Sequence, residues 1–215
     1  RVVAVELDRA LLPVLAETLG DRDNVEVISG DILKLDIPAL VDEKLAGLEP
    51  MACANLPYNI TTPVMTALIE AKRFSCIAVM IQREVARRIC AVPGSPDYGA
   101  FSVYCQYHTE PELLFDVGPE CFIPAPKVTS SVIRMRPLPS PPVPVKDEVR
   151  FFRVVKAAFG QRRKTLLNAL SAGLPSLSRE AVKAAVAACG LPDNVRGERL
   201  GIPEFAALTE ALGEF

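Results

Sequence analysis

Met51-Ala52-Cys53-Ala54-Asn55-Leu56-Pro57-Tyr58 is the stretch whose reading decides the fold. The short apolar run reads as a buried strand, and the proline forces the chain to turn at its end. That places an amide and an aromatic ring at the carboxyl end of a strand. In open α/β sheets, ligands bind outside the carboxyl ends of the strands. Asn offers both a donor and an acceptor, and Tyr offers a face for stacking. Together they suit a flat, amine-bearing ring such as adenine.

The flanking sequence extends this pattern. Val2 to Val5 is a continuous apolar run, as expected for a strand covered on both faces, and it ends at Glu6-Leu7-Asp8. A helix is predicted over Arg9 to Leu19, stopped by Gly20. Val25 to Ile28 is the next strand, ending at Ser29-Gly30-Asp31. The strand ends at 6, 31 and 55 lie 25 and 24 residues apart, close to a short βαβ step. Thr61-Thr62-Pro63 opens a helix, with Thr62 as N-cap and Pro63 in the first turn. Cys76 to Ile81 is a fourth strand, Arg83 to Ala91 a helix, and Pro93-Gly94-Ser95-Pro96 a loop. A helix then runs from Tyr98-Gly99 to about Tyr107. Glu112 to Val117 and Val128 to Met135 read as two closing strands, taken as antiparallel.

Pro137, Pro139, Pro141, Pro142 and Pro144 follow as a stiff, extended linker. Beyond it the pattern is helical only. Phe152, Val155 and Phe159 keep helical spacing, as do Leu166, Leu167 and Leu170. Ser178 caps a helix ending near Gly190-Leu191-Pro192, and Pro203 starts a last one. The expected organisation is an α/β domain over 1–137, a linker over 138–146 and a helical domain over 147–215.

Composition narrows the classes. The chain has 215 residues, half of them hydrophobic, enough for a real core. A net charge of −2 argues against a strongly basic nucleic-acid binder but leaves local patches open. No apolar run approaches the roughly 20 residues that a membrane helix needs. The six cysteines form no Cys-x-x-Cys pair and lie mostly in apolar stretches, so reduced structural thiols are expected. His108 is the only histidine and has no ligand cluster around it, so no metal site is expected. The chain starts without Met in mid-strand, which reads as a fragment or as a chain with an unseen amino-terminal region.

Each strand end carries a candidate and an ordinary alternative. Glu6 could accept both hydroxyls of a ribose, or simply serve a helix entry. Asp31 could accept from the exocyclic amine of adenine, with Ile32 against the ring, or cap a turn. Asn55 and Tyr58 are the sharper pair. An exocyclic adenine nitrogen is a poor nucleophile because its lone pair is delocalised into the ring. Accepting both of its hydrogens, from the Asn55 side-chain oxygen and a nearby backbone carbonyl, would bias it towards a reactive geometry, while Tyr58 stacks on the ring. No strong base is required, since the proton becomes acidic once the nitrogen is alkylated. The alternative is a buried turn with a packed Tyr. Phe122 heads the proline-braced loop through Lys127 and is either the second face of a base sandwich or a core residue.

Taken together, these segments resemble the ribosomal RNA adenine N6,N6-dimethyltransferase family along the whole chain. The resemblance rests on Val5-Glu6-Leu7-Asp8, Gly30-Asp31, Asn55-Leu56-Pro57-Tyr58-Asn59, Gln82-Arg83-Glu84-Val85-Ala86, Tyr98-Gly99-Ala100, Phe122 through Val128, and Ala158-Phe159-Gly160-Gln161-Arg162-Arg163-Lys164-Thr165-Leu166. Any one is weak; all in this order are highly specific. The nearest resemblance is to the bacterial small-subunit group, which dimethylates two adjacent adenosines near the 3′ end of 16S rRNA. The resemblance implies a Rossmann-like domain that uses S-adenosylmethionine, followed by a small helical domain. It implies that Glu6 binds the cofactor ribose, that Asp31 with Ile32 reads its adenine, and that Asn55 contacts cofactor and target amine. Asn55-Leu56-Pro57-Tyr58 and Phe122 would form the catalytic pocket, with Tyr58 and Phe122 stacking on the target base. It further implies cytoplasmic location, action on the immature 30S subunit, and a monomer without a membrane partner.

The family's glycine-rich turn and the strand before it have no counterpart here. In the family fold that strand lies at the centre of the sheet, so a gap and unpaired backbone groups are expected there. Weak or absent binding of S-adenosylmethionine by this 215-residue chain is expected in turn.

Positive charge clusters at Arg83, Arg87 and Arg88, at Arg162, Arg163 and Lys164, and at Lys127, Arg134 and Arg136. Such clusters often only solubilise a face. With the resemblance, the first two are expected to line an RNA groove through phosphate contacts, and Lys127 joins the RNA-binding candidates. One competing reading is a 23S rRNA adenine N6-methyltransferase of the resistance type, which shares the early motifs; Arg162 through Leu166 favours the small-subunit group. A DNA adenine methyltransferase would more typically carry Pro-Pro-Tyr, where Leu56 stands here. The other competing reading is a non-catalytic RNA-binding assembly factor on the same fold.

Overall fold

A computed structural model describes residues 1–215. The amino-terminal half alternates strand and helix: β1 (Val2–Glu6), α1 (Leu12–Leu19), β2 (Val25–Ser29), α2 (Ile37–Lys44), β3 (Met51–Asn55), α3 (Thr61–Glu70), β4 (Cys76–Gln82) and α4 (Arg83–Ile89). Then come α5 (Ala100–His108), β5 (Thr109–Val117) and β6 (Ser130–Pro137). The rest is helical: α6 (Glu148–Gly160), α7 (Leu166–Gly173), α8 (Arg179–Ala188) and α9 (Ile202–Leu212). The fold is α/β with a mixed sheet.

The strands form two sheets. β1 and β2 pair in parallel, and a four-stranded sheet runs β3-β4-β6-β5. No ladder joins β1 to β3, so each has one unpaired edge, with Val2 50% and Met51 68% exposed. β3 and β4 are parallel, whereas β6 is antiparallel to both β4 and β5.

Several local expectations need correction. α1 starts at Leu12 rather than Arg9, because Asp8 forms a turn: its carboxylate accepts from the Ala10 N–H and its carbonyl from the Leu11 N–H. α2 was not anticipated, although Asp36 caps it by accepting from the Ala39 N–H, with Pro38 in its first turn. Thr62 does not cap α3; Ile60 occupies that position, and the Thr61 hydroxyl donates to the Pro57 carbonyl instead. β5 begins at Thr109 rather than Glu112, and β6 at Ser130 rather than Val128. Pro111 is accommodated because β5 is an edge strand. Ser178 does cap α8 through the Ala181 N–H, and Gly190 at φ +66° follows its end.

Two apolar cores form. One lies between the four-stranded sheet and its helices and includes Leu56, Met65, Ile77, Ile81, Ile89 and Ile133. The other fills the helical part with Phe151, Val154, Leu166, Leu170 and Phe205. Helix α5 serves both: Cys105 faces the sheet core, while Val103 and Tyr107 belong to the helical one. An aromatic cluster of Tyr104, Tyr107, His108 and Phe152 joins α5 to α6.

Burial in this cluster holds the His108 imidazole below its ordinary pKa of 6.5, with Lys72 adding to the effect and Glu148 and Glu70 opposing it. Folding therefore favours neutral His108. Its contribution is present above the unfolded imidazole range and declines as pH falls from there towards the lowered folded value. In thermal melts, His108→Phe should flatten the fall in Tm below about pH 6.5. An unchanged slope in that window would exclude this coupling.

Candidate functional site

Parallel pairing brings the first candidates side by side. Glu6 is in register with Ser29, and the Gly30 N–H donates to the Glu6 carbonyl at 2.9 Å. Glu6 and Asp31 thus sit at neighbouring strand ends. One oxygen of each carboxylate is engaged: Glu6 Oε1 accepts from the Asp8 N–H at 2.7 Å, and Asp31 Oδ1 from the Leu33 N–H at 3.0 Å. The second oxygens differ. Glu6 Oε2 has no partner within the chain, and Asp31 Oδ2 lies 3.8 Å from Lys34 Nζ. Asp31 thus caps a turn, as its ordinary alternative had it, whereas Glu6 holds the Asp8 N–H ahead of α1 rather than a helix entry, and each carboxylate keeps one oxygen without a hydrogen bond from the chain. Ile32 is half-buried and packs against the sheet core.

The second group lies at the carboxyl ends of β3 and β4. Asn55 is the last residue of β3, exposed, and its side chain makes no hydrogen bond within the chain. Leu56 buries its side chain in the sheet core, with 6% exposed, so only its backbone is available to a ligand. Its N–H donates to the Met80 carbonyl, while no donor of the chain reaches its own carbonyl. The Pro57 carbonyl is engaged, accepting from the Ile60 N–H at 3.1 Å and the Thr61 hydroxyl at 3.2 Å. Two free acceptors thus flank this turn: the Asn55 side-chain oxygen and the Leu56 carbonyl. Tyr58 is half-buried, and its hydroxyl meets Ser130 Oγ at 2.8 Å. Phe122 is also half-buried, in the loop that leads into β6.

Ser130 and Ser131 were missed in the sequence reading. Both are buried and open β6. Ser131 donates to Asp116 Oδ1 at 2.5 Å, and Asp116 Oδ2 lies 3.7 Å from Arg83. Two consecutive serines at the head of a strand whose remaining polar residues are arginines were the available signal.

Ion pairs sort the cationic candidates. Arg88 pairs with Glu84 at 2.8 Å, Arg83 with Asp116, and Arg162 with Glu198 at 3.8 Å. Arg87, Lys127, Arg163 and Lys164 are exposed and have no carboxylate within 4.0 Å. The third cluster does not act as one, since Glu112 pairs with both Arg134 and Arg136, away from Lys127. No group of three or more His, Cys, Asp or Glu side chains is placed to hold a metal ion. No helix is long and apolar enough to cross a membrane.

Residues 1–201 match a family model described as ribosomal RNA adenine dimethylase. Ribosomal RNA small subunit methyltransferase A of Alkaliphilus metalliredigens is 48% identical over 213 residues, covering 99% of this chain and 74% of that protein. The protein of the same name from Geobacillus thermodenitrificans is 46% identical over 216 residues, with 99% and 74% covered. Among solved structures, a dimethyladenosine transferase from Plasmodium falciparum superposes with a TM-score of 0.76 at 21% identity, covering 97% of this chain and 80% of that one. The 23S rRNA methyltransferase ErmE superposes with a TM-score of 0.68 at 24% identity, with 100% and 82% covered. At these identities the two structures speak for a shared fold.

Proposed function

Since the chain belongs to the ribosomal RNA adenine dimethylase family, we propose that it transfers methyl groups from S-adenosylmethionine to the N6 amines of two adjacent adenosines near the 3′ end of 16S rRNA. The observation that carries this reading is the turn after β3, where two unengaged acceptors flank a half-buried aromatic ring. The exocyclic amine of adenine has two hydrogens. The Asn55 side-chain oxygen accepts one and the Leu56 carbonyl the other; the Pro57 carbonyl is already taken. Holding both hydrogens draws the nitrogen lone pair out of conjugation with the ring and fixes its direction. Tyr58 and Phe122 hold the base by stacking.

Glu6 and Asp31 fit the nucleoside half of S-adenosylmethionine. Glu6 Oε2 is free for a ribose hydroxyl, and Asp31 with Ile32 faces an adenine. When bound, the cofactor supplies an electrophilic methyl group. The residues of this chain orient the acceptor amine and need no strong base, because the proton is lost readily after alkylation.

Residues 1–137 then form the catalytic domain, and 147–215 a helical domain that docks on RNA, joined by the linker at 138–146. Arg87, Lys127, Arg163 and Lys164 contact phosphates, with Arg83, Arg88 and Arg162 contributing less because each already has an acidic partner. The partner is the immature 30S subunit in the cytoplasm, and the protein acts as a monomer. The small-subunit assignment is supported by relatives of that name at 46–48% identity, against 24% for the 23S enzyme.

The test is to incubate the chain with separately purified immature small and large subunits and with S-adenosylmethionine at a concentration high enough to offset the weak binding expected of this chain, then digest the rRNA to nucleosides. Dimethyladenosine in 16S rRNA at two neighbouring positions is expected. Modification of 23S rRNA alone would support the resistance-type reading instead.

A further inference from the structure

We propose that Ser130 is a positioning residue for the target base, acting by fixing the tilt of the Tyr58 ring. This rests on the stacking role proposed for Tyr58. The two hydroxyls lie 2.8 Å apart across 72 residues of sequence. Their surroundings differ. Ser130 is 1% exposed and opens β6, in register with Gln82 of β4 on one side and Val117 of β5 on the other. Its backbone is therefore held from both flanks. Tyr58 sits in the turn between β3 and α3, outside any ladder and half-buried.

A tyrosine ring on a turn has two side-chain torsions with which to swing. Its apolar face offers little angular restraint, since stacking tolerates sliding and tilting. The hydroxyl bond supplies a fixed point at the far end of the ring. Ser130 Oγ has no other partner in the chain, so each hydroxyl satisfies the other. The consequence is chemical. The amine of the stacked base must meet Asn55 and Leu56 with a narrow spread of position, and tilt of the ring is transmitted to the base.

The experiment uses a hairpin RNA with 2-aminopurine in place of the target adenosine. Stacking quenches its fluorescence, and the readout does not depend on methyl transfer. The unsubstituted chain is expected to quench on binding, and Tyr58→Ala to abolish the quench. If Tyr58→Ala quenches as well as the unsubstituted chain, the stacking reading itself falls, and this proposal with it.

With that reading intact, Ser130→Ala and Tyr58→Phe should each lower the stacked population about fivefold, the loss expected from one hydrogen bond. Affinity for the hairpin should stay within about twofold, because phosphate contacts dominate it. The double variant should lose no more than either single one. Two results overturn the proposal: full quench by Ser130→Ala, or a further loss when Ser130→Ala is added to Tyr58→Phe, which would mark a general loosening. Should Ser130→Ala fail to fold, Tyr58→Phe probes the same bond from the ring side. Full quench by Tyr58→Phe overturns the proposal, and a fivefold loss supports it.

Discussion

Asn55→Ala is expected to lower methyl transfer to small-subunit rRNA by about 100- to 1000-fold, the range found when a preorganised hydrogen-bonding group is removed from a transition state. The variant removes the side-chain oxygen proposed to accept one hydrogen of the target amine. The Leu56 carbonyl remains, so one hydrogen is still held, but the lone pair regains its conjugation with the ring. The fold should be indifferent, because Asn55 is exposed and makes no side-chain hydrogen bond within the chain. RNA affinity should likewise be unchanged, since no phosphate contact is altered. Mass analysis of rRNA nucleosides and a filter-binding titration on the same samples check both halves. Unimpaired methylation would remove Asn55 from the catalytic assignment. Unimpaired assembly function together with absent methylation in the unsubstituted chain would favour the non-catalytic factor.

Reversing Arg162, Arg163 and Lys164 to Glu should weaken binding to the small subunit by about 100-fold or more at moderate salt, and flatten its salt dependence. The three lie between α6 and α7, and all are exposed. Arg163 and Lys164 carry no ion pair, so they release counterions in full when they meet phosphate. Arg162 already has Glu198 at 3.8 Å and contributes less. The slope of log K against log salt should therefore fall in magnitude by about 2. Because the side chains are solvated, Tm should move little. The single substitutions are expected to rank with Arg163 and Lys164 above Arg162, as Arg87 should rank above Arg83 and Arg88. Equal affinity and equal slope after the triple reversal would place the RNA elsewhere on the molecule.

The strands were legible because their apolar runs are short, continuous and closed by turn residues: Val2 to Val5 before Glu6, Met51 to Ala54 before Asn55, Cys76 to Ile81 before Gln82. The missed α2 was legible in principle. Asp36 followed by Ile37-Pro38 is a helix start, and Ile37, Val41 and Leu45, each four residues apart, form the apolar stripe that meets the sheet core. The candidate site was legible to the extent that it is local. Asn55 through Tyr58 is one turn, and the caps at Glu6 and Asp31 reach only two residues onward.

The parts that stayed hidden join distant segments. Tyr58 meets Ser130 only because β6 runs antiparallel to β4 in a register that sets Ser130 opposite Gln82. The same strand brings Asp116 of β5 to Ser131, and Glu112 to Arg134, dissolving a cationic cluster that looked continuous along the chain. Helix α5 divides its faces between two cores, which a proline-rich linker alone would not announce. By itself the sequence determined the elements, the order of the strand ends and the chemistry each end can offer, since these follow from torsional preference, periodicity and turns within a few residues. Only the tertiary structure decided which charges are neutralised, which carbonyl is free and what holds the stacking ring. Those depend on register between strands tens of residues apart, where a shift of one position would turn every side chain to the other face.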